Sequence, residues 1–121
     1  DPSRLSYPEL QVVSVGEACP PSLAEAWSSY CRFMNAYGPT EYTVYSHLYE
    51  VKEGVADRAT VPIGTPIFNT HTYILDSSGN PVGIGIPGEL YLTGPGIARG
   101  YLNRHLLTQE RFVPNHFFLS E

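Results

Sequence analysis

The apolar and polar positions of this chain change character near residue 41. Residues 10–16, LQVVSVG, are a short Val-rich run that stops at a Gly, and such a run predicts a buried strand. Ser22 and Glu25 then stand in capping-box spacing. Leu23, Ala26, Trp27, Tyr30 and Cys31 follow at the i, i+3, i+4, i+7, i+8 interval of a helix that buries one face. RFMNAY predicts a second strand, so residues 10–37 form a strand, helix, strand unit whose crossover is right-handed if the strands are parallel. From Tyr42 onward β-branched and aromatic residues are cut by Gly and Pro, with no long helical period. YTVYSHLYEV, THTYIL and GELYLTG predict strands, DSSGN predicts a turn, and NRHLLTQERF predicts a short helix with Asn103 at its N-cap. FVPNHFFLSE follows with three Phe and no evident partner element. The expected organisation is therefore α/β over residues 1–41, then a β-rich part over 42–121 resembling a distorted barrel.

Composition narrows the function classes. The chain has 121 residues, 42% of them hydrophobic, and a formal net charge of -5, so there is no basic stripe for nucleic acid and no polybasic membrane anchor. No apolar run approaches the length of a membrane span, and the chain opens without a secretory leader. A soluble, cytoplasmic protein with a small-molecule partner is the expectation. Cys19 and Cys31 lack metal-ligand spacing, and His47, His71, His105 and His116 are scattered, so two ordinary thiols in a reducing compartment are expected.

In open parallel sheets ligands sit at the carboxyl ends of strands, and both VGEA (15–18) and NAYGPTE (35–41) fall at such ends. Gly38-Pro39 alone marks a turn and needs no ligand. Its neighbours point further. Tyr37 offers a ring that stacks on a flat base, Thr40 a hydroxyl, and Glu41 the hard oxygen donor that Mg2+ prefers. Together they suit a nucleotide phosphate and its metal. Gly94, Gly96 and Gly100 are spaced G-x-G-x-x-x-G without a following helix of the right length, so a dinucleotide loop is rejected. Tyr42, Tyr45 and Tyr49 read first as a half-buried strand face.

NAYGPTE resembles the adenine-and-magnesium motif of the adenylate-forming superfamily. GELYLTGPGIARGYL (88–102) and PIGTPIFNTHTYILD (62–76) resemble segments of its amino-acid-activating branch, the adenylation domains of nonribosomal peptide synthetases. The likeness runs from about Leu10 to about Phe117. It implies an interior slice of the N-terminal, acyl-CoA synthetase-like domain of a larger ligase. Such an enzyme uses ATP and Mg2+ to convert an amino acid to an aminoacyl adenylate, then passes the acyl group to the phosphopantetheine thiol of a carrier-protein domain.

Carried over by position, the resemblance implies that Tyr37 stacks on adenine, while Asn35 and the backbone of Gly16, Glu17 and Ala18 line the base. Thr40 meets the α-phosphate, Glu41 holds Mg2+, and Gly38-Pro39 turns a carbonyl toward the substrate amine. Val13, Val15, Ala36, Val44 and Tyr45 line the side-chain pocket, which implies an uncharged, largely apolar substrate. The resemblance also implies that Arg99 is a packing or ion-pair residue and not a catalyst. The phosphate loop, the ribose-binding Asp and the catalytic Lys of such enzymes have no match among these 121 residues, so the chain alone is expected to be inactive and marginally stable. The alternatives are an acyl- or aryl-CoA ligase of the same superfamily, a binding module without chemistry, and a fragment with no autonomous fold.

Overall fold

The computed structural model describes residues 9–52 and 54–117, which fall into two compact units, one running to Asn69 and the other beginning at Thr70.

In the first unit, β1 (Gln11–Ser14), β2 (Arg32–Tyr37), β3 (His47–Glu50) and β4 (Thr65–Pro66) form one sheet in the order β1-β2-β3-β4. β1 and β2 are parallel, and Ser14 lies in register with Asn35. β3 is antiparallel to β2, with Tyr37 opposite His47, and β4 is antiparallel to β3. One sheet face carries Val12, Phe33, Tyr49 and Val51, and these pack with Cys19, Ala24, Trp27, Cys31, Val55 and Val61 as the apolar core. Because side chains alternate along a strand, Val13, Met34, Ala36 and Leu48 belong to the opposite face.

Several expectations change here. LQVVSVG is not buried throughout: Val13 is 44% and Val15 45% exposed, because α1 (Pro21–Ser28) covers the other face of an edge strand. The capping box does not form. Helix α1 begins one residue before Ser22, with Pro20 as an extended N-cap and Pro21 at the first helical position, where a missing N–H costs nothing. Its inward face accordingly rotates to fully buried Ala24 with Trp27 and Cys31 partly buried, leaving Leu23, Ala26 and Tyr30 exposed. Glu25 turns instead to the 54–55 loop, where its carboxylate accepts the N–H groups of Gly54 (3.3 Å) and Val55 (2.9 Å).

YTVYSHLYEV is only half a strand. The first part is two tight turns, with Tyr42 N–H donating to Pro39 O at 3.0 Å and Tyr45 N–H to Thr43 O at 2.8 Å. β3 pairs with β2, and residues 42–69 lie in the first compact unit.

In the second unit, β5 (His71–Leu75) and β6 (Glu89–Thr93) form an antiparallel ribbon. DSSGN turns as expected: Asp76 Oδ1 accepts the N–H groups of Ser78 and Asn80, each at 2.9 Å, and Gly79 takes the left-handed conformation. These bonds, that from Asn80 foremost, hold the Asp76 carboxyl below its ordinary pKa. In the closing helix α2 (His105–Arg111) the N-cap position falls to Arg104, which makes no side-chain cap bond, and not to Asn103, which has a positive φ of 57°. The expected lack of partners for the Phe residues is also corrected: Phe112 meets Tyr101 edge-on at 5.5 Å, and Phe117 stacks on Tyr73 at 4.8 Å. Phe118 lies outside the described residues. No helix among the described residues is long and apolar enough to cross a membrane.

Candidate functional site

Parallel pairing of β1 with β2 brings VGEA and NAYGPTE to the same end of the sheet. β1 ends at Ser14 and β2 at Tyr37, so Gly16, Glu17 and Ala18 leave the sheet beside Gly38, Pro39, Thr40 and Glu41. Gly16 has a φ of 99° and open space where a Cβ would stand, and Gly16, Glu17 and Ala18 are all solvent-exposed. Their backbone is accessible at the strand end.

The predicted residues divide between two sheet faces. Asn35 and Tyr37 share the face of Phe33, whereas Val13, Val15 and Ala36 belong to the opposite one. Asn35 is 5% exposed, and its Nδ2 donates to Pro62 O at 2.9 Å, so that nitrogen ties β2 to the 61–62 loop. Tyr37 is half-buried at the strand end, Thr40 is exposed, and Glu41 is half-buried in the turn that Tyr42 N–H closes on Pro39 O.

Gly38 brings Val44 and Tyr45 into place. A Cβ built on Gly38 would collide with Tyr45 Cα and lie 2.5 Å from Val44 O, so the Thr43–Tyr45 turn rests directly on the Gly38 backbone. Val44, at the centre of that turn, has a φ of 60°, a strained conformation for a β-branched residue, and is 71% exposed. Tyr45 is half-buried. Of the pocket residues, Ala36 alone is buried in this chain.

Two residues without a sequence signal complete the end of β2. Ser46 N–H donates to Tyr37 O at 2.8 Å, Ser46 Oγ lies 3.3 Å from the same oxygen, and His47 Nδ1 lies 2.9 Å from Ser46 Oγ. The His47 ring meets Tyr37 edge-on, with centroids 6.0 Å apart. Burial pushes the His47 pKa below its ordinary value, which favours the neutral ring. Only the pairing of β3 with β2 brings these groups together; no spacing along the chain signals it.

For a magnesium nucleotide the donor chemistry fits. Mg2+ is usually held by one or two carboxylates together with substrate phosphates and water, and Glu41 would offer one carboxylate. Among the described residues no group of three or more His, Cys, Asp and Glu is placed to hold a metal ion by itself.

Comparison with known proteins identifies the chain's relatives. It is 46% identical over 118 residues to chondramide synthase cmdD of Chondromyces crocatus, an alignment covering 95% of this chain and 3% of that protein. It is 51% identical over 96 residues to bacitracin synthase 2 of Bacillus licheniformis, covering 78% of this chain and 4% of that protein. This chain thus spans only a few per cent of the length of these relatives. Among solved structures it is similar to a four-domain nonribosomal peptide synthetase bound to AMP and glycine, with a TM-score of 0.79 and 33% identity, covering 88% of this chain and 8% of that one. It is also similar to the Klebsiella oxytoca NpsA N-terminal subdomain in complex with 3-hydroxyanthranilyl-AMSN, with a TM-score of 0.75 and 31% identity, covering 85% of this chain and 27% of that one. The model of the AMP-binding enzyme family matches residues 2–102, and with the strand-end loops arranged as described, the chain belongs to the AMP-binding enzymes.

Proposed function

We propose that this chain is the nucleotide-binding and pocket-forming part of an ATP-dependent ligase that activates an amino acid as its aminoacyl adenylate for nonribosomal peptide synthesis. The observation that carries this reading is the convergence of VGEA and NAYGPTE at the carboxyl ends of two parallel strands, within a chain of the AMP-binding family. The names of its relatives and the AMP and glycine in a similar structure support it.

In this reading the Tyr37 ring stacks on adenine, with Asn35 and the Gly16–Ala18 backbone lining the base. The Thr40 hydroxyl meets the α-phosphate, and Glu41 holds Mg2+. When bound, the metal neutralises phosphate charge. The chain's own contribution is positioning and electrostatic support for an in-line attack of the substrate carboxylate on the α-phosphate, with pyrophosphate leaving. Val13, Val15, Ala36, Val44 and Tyr45 contribute an uncharged pocket wall. The carrier-domain partner with its phosphopantetheine thiol, and a cytoplasmic location without nucleic-acid or membrane partners, belong to the same proposal. So does the assignment of residues 1–41 and 42–121 to α/β and β-rich subdomains of the parent.

Pyrophosphate exchange in the full-length enzyme tests the reading. Glu41→Gln is expected to raise the barrier by about 3 kcal/mol, the scale of one preorganised charge-stabilising group, with partial rescue by added Mg2+. Tyr37→Ala is expected to weaken ATP binding by about 1–3 kcal/mol. An unchanged rate of Glu41→Gln across a Mg2+ titration would leave Glu41 as a turn residue only. A second reading, activation of an aryl acid, is favoured by one observation, the similarity to a subdomain complexed with 3-hydroxyanthranilyl-AMSN. A panel of amino and aryl acids in the same assay separates the two. A response to aryl acids alone would replace the first reading with the second.

A further inference from the structure

Within this molecule the Ser46-His47 pair is a buried polar group that the proposed chemistry does not use. Ser46 is fully buried and His47 is 3% exposed, yet neither belongs to the apolar cluster around Phe33. Burying two polar side chains is unfavourable unless their hydrogen bonds are made; here Ser46 bonds to Tyr37 and to His47, and the His47 ring also meets Tyr37. Tyr37 is held at both ends. Its carbonyl accepts the Ser46 N–H at 2.8 Å with the Ser46 hydroxyl 3.3 Å away, while its ring packs against the His47 ring at an interplanar angle of 63°. A serine hydroxyl has one proton to donate. When that proton goes to the Tyr37 carbonyl, the 2.9 Å contact to His47 is completed by Nδ1–H donating to Oγ, and the imidazole tautomer becomes linked to the Tyr37 backbone. His47 is itself fixed on its far side, opposite Pro66 of β4, and the Ser46 carbonyl accepts the Ile67 N–H at 2.9 Å.

We propose that His47 is a positioning residue that acts through Ser46 and through its own ring edge to preset the Tyr37 ring for the nucleobase. The proposal rests on the reading of Tyr37 as the base-stacking residue. A half-buried Tyr at a strand end otherwise has rotational freedom that base binding must remove. An edge-on partner removes it beforehand, so preorganisation appears as affinity for the base and not for the phosphates.

The test is calorimetric binding to the full-length enzyme, with MgATP as one probe and magnesium tripolyphosphate, which lacks a base, as the other. His47→Leu is expected to weaken MgATP about threefold to tenfold, the scale of one aromatic pair, and to leave tripolyphosphate unchanged. His47→Phe, which keeps an aromatic edge, should recover most of the loss. In a Tyr37→Ala background His47→Leu should have no further effect, because a residue that acts through Tyr37 has nothing left to act on. A purely structural His47 would instead weaken both probes and add its loss to that of Tyr37→Ala, and either result overturns the proposal. If His47→Leu does not fold, Ser46→Ala closes the same cycle: an ATP-only loss that vanishes with Tyr37→Ala supports the proposal, and unchanged ATP affinity overturns it. Should Tyr37→Ala itself leave ATP affinity intact, the base-stacking reading falls and takes the proposal with it. If Tyr37→Ala weakens ATP and neither partner variant does, the proposal alone falls.

Discussion

At the scale of single residues, the end of β2 is built from exceptions to ordinary backbone rules. Val44 occupies the left-handed region with φ of 60°, and Gly38 leaves no room for a Cβ against Val44 and Tyr45. The two features belong together, because the turn carrying Val44 is held down on the bare Gly38 backbone. Gly38→Ala forces backbone atoms apart, and they cannot yield as a flexible side chain would. It is expected to destabilise the first unit by about 1–3 kcal/mol, the range for overpacking. Val44→Gly relieves about 1–3 kcal/mol of strain and loses about 0.5–1 kcal/mol to the freer unfolded chain, so its stability should equal or exceed that of the parent. Thermal melts of both variants check the pair; a destabilised Val44→Gly would mean that the Val side chain, not the backbone, holds the turn. Tyr37, Thr40 and Glu41 were legible as candidate ligand residues because their chemistry is carried by residue type within one turn. Ser46 and His47 were not, since nothing local distinguishes a histidine that will face a tyrosine across a strand pair.

Among the elements, α1 shows how a correct period can be placed on the wrong face. The helical spacing is real, but Pro20-Pro21 fixes where the helix starts, and the inward face is the one that joins the core cluster of Phe33 and Val51. Freed from the cap, Glu25 joins α1 to the loop after β3 by accepting the Val55 and Gly54 N–H groups, and these bonds, Val55 first, lower its pKa. A carboxylate with a depressed folded-state pKa contributes stability that is present above its unfolded pKa and is lost as pH falls through the folded value. Glu25→Gln should therefore melt earlier than the parent at neutral pH and lose less on acidification through the carboxylate range. Melting curves from neutral pH down to about pH 3, below the ordinary glutamate pKa, check this. Parallel pH dependence in the two proteins would show that the bonds do not discriminate the charge.

For the molecule as a whole, the division after Asn69 has an energetic consequence: a perturbation confined to one unit should remain there. Gly100 in the second unit has φ of 134°, and a Cβ there would collide with the Thr108 side chain, whose Oγ1 accepts the Tyr101 N–H at 2.9 Å. Gly100→Ala is expected to speed amide exchange at Tyr101 and along α2 while leaving the amides of β2 and β3 unchanged. Equal loss of protection in β2 would show that the two units open as one.

Chain texture alone determined the family resemblance, the strand, helix, strand order, the existence of β5 and β6 and the DSSGN turn, because each is carried by short runs of residues. Strand propensity could not decide the start of YTVYSHLYEV, where Gly38 requires close backbone approach and so turns residues 43–45 before β3 can begin. Only tertiary structure set the one-residue rotation of α1, the exposure of Val13 and Val15, the bond from Asn35 to Pro62, and the meeting of His47 with Tyr37. These depend on which strand pairs with which and on which face the helix covers. These contacts join residues 10 apart for Tyr37 and His47 and 27 apart for Asn35 and Pro62, beyond the reach of any helical or strand period.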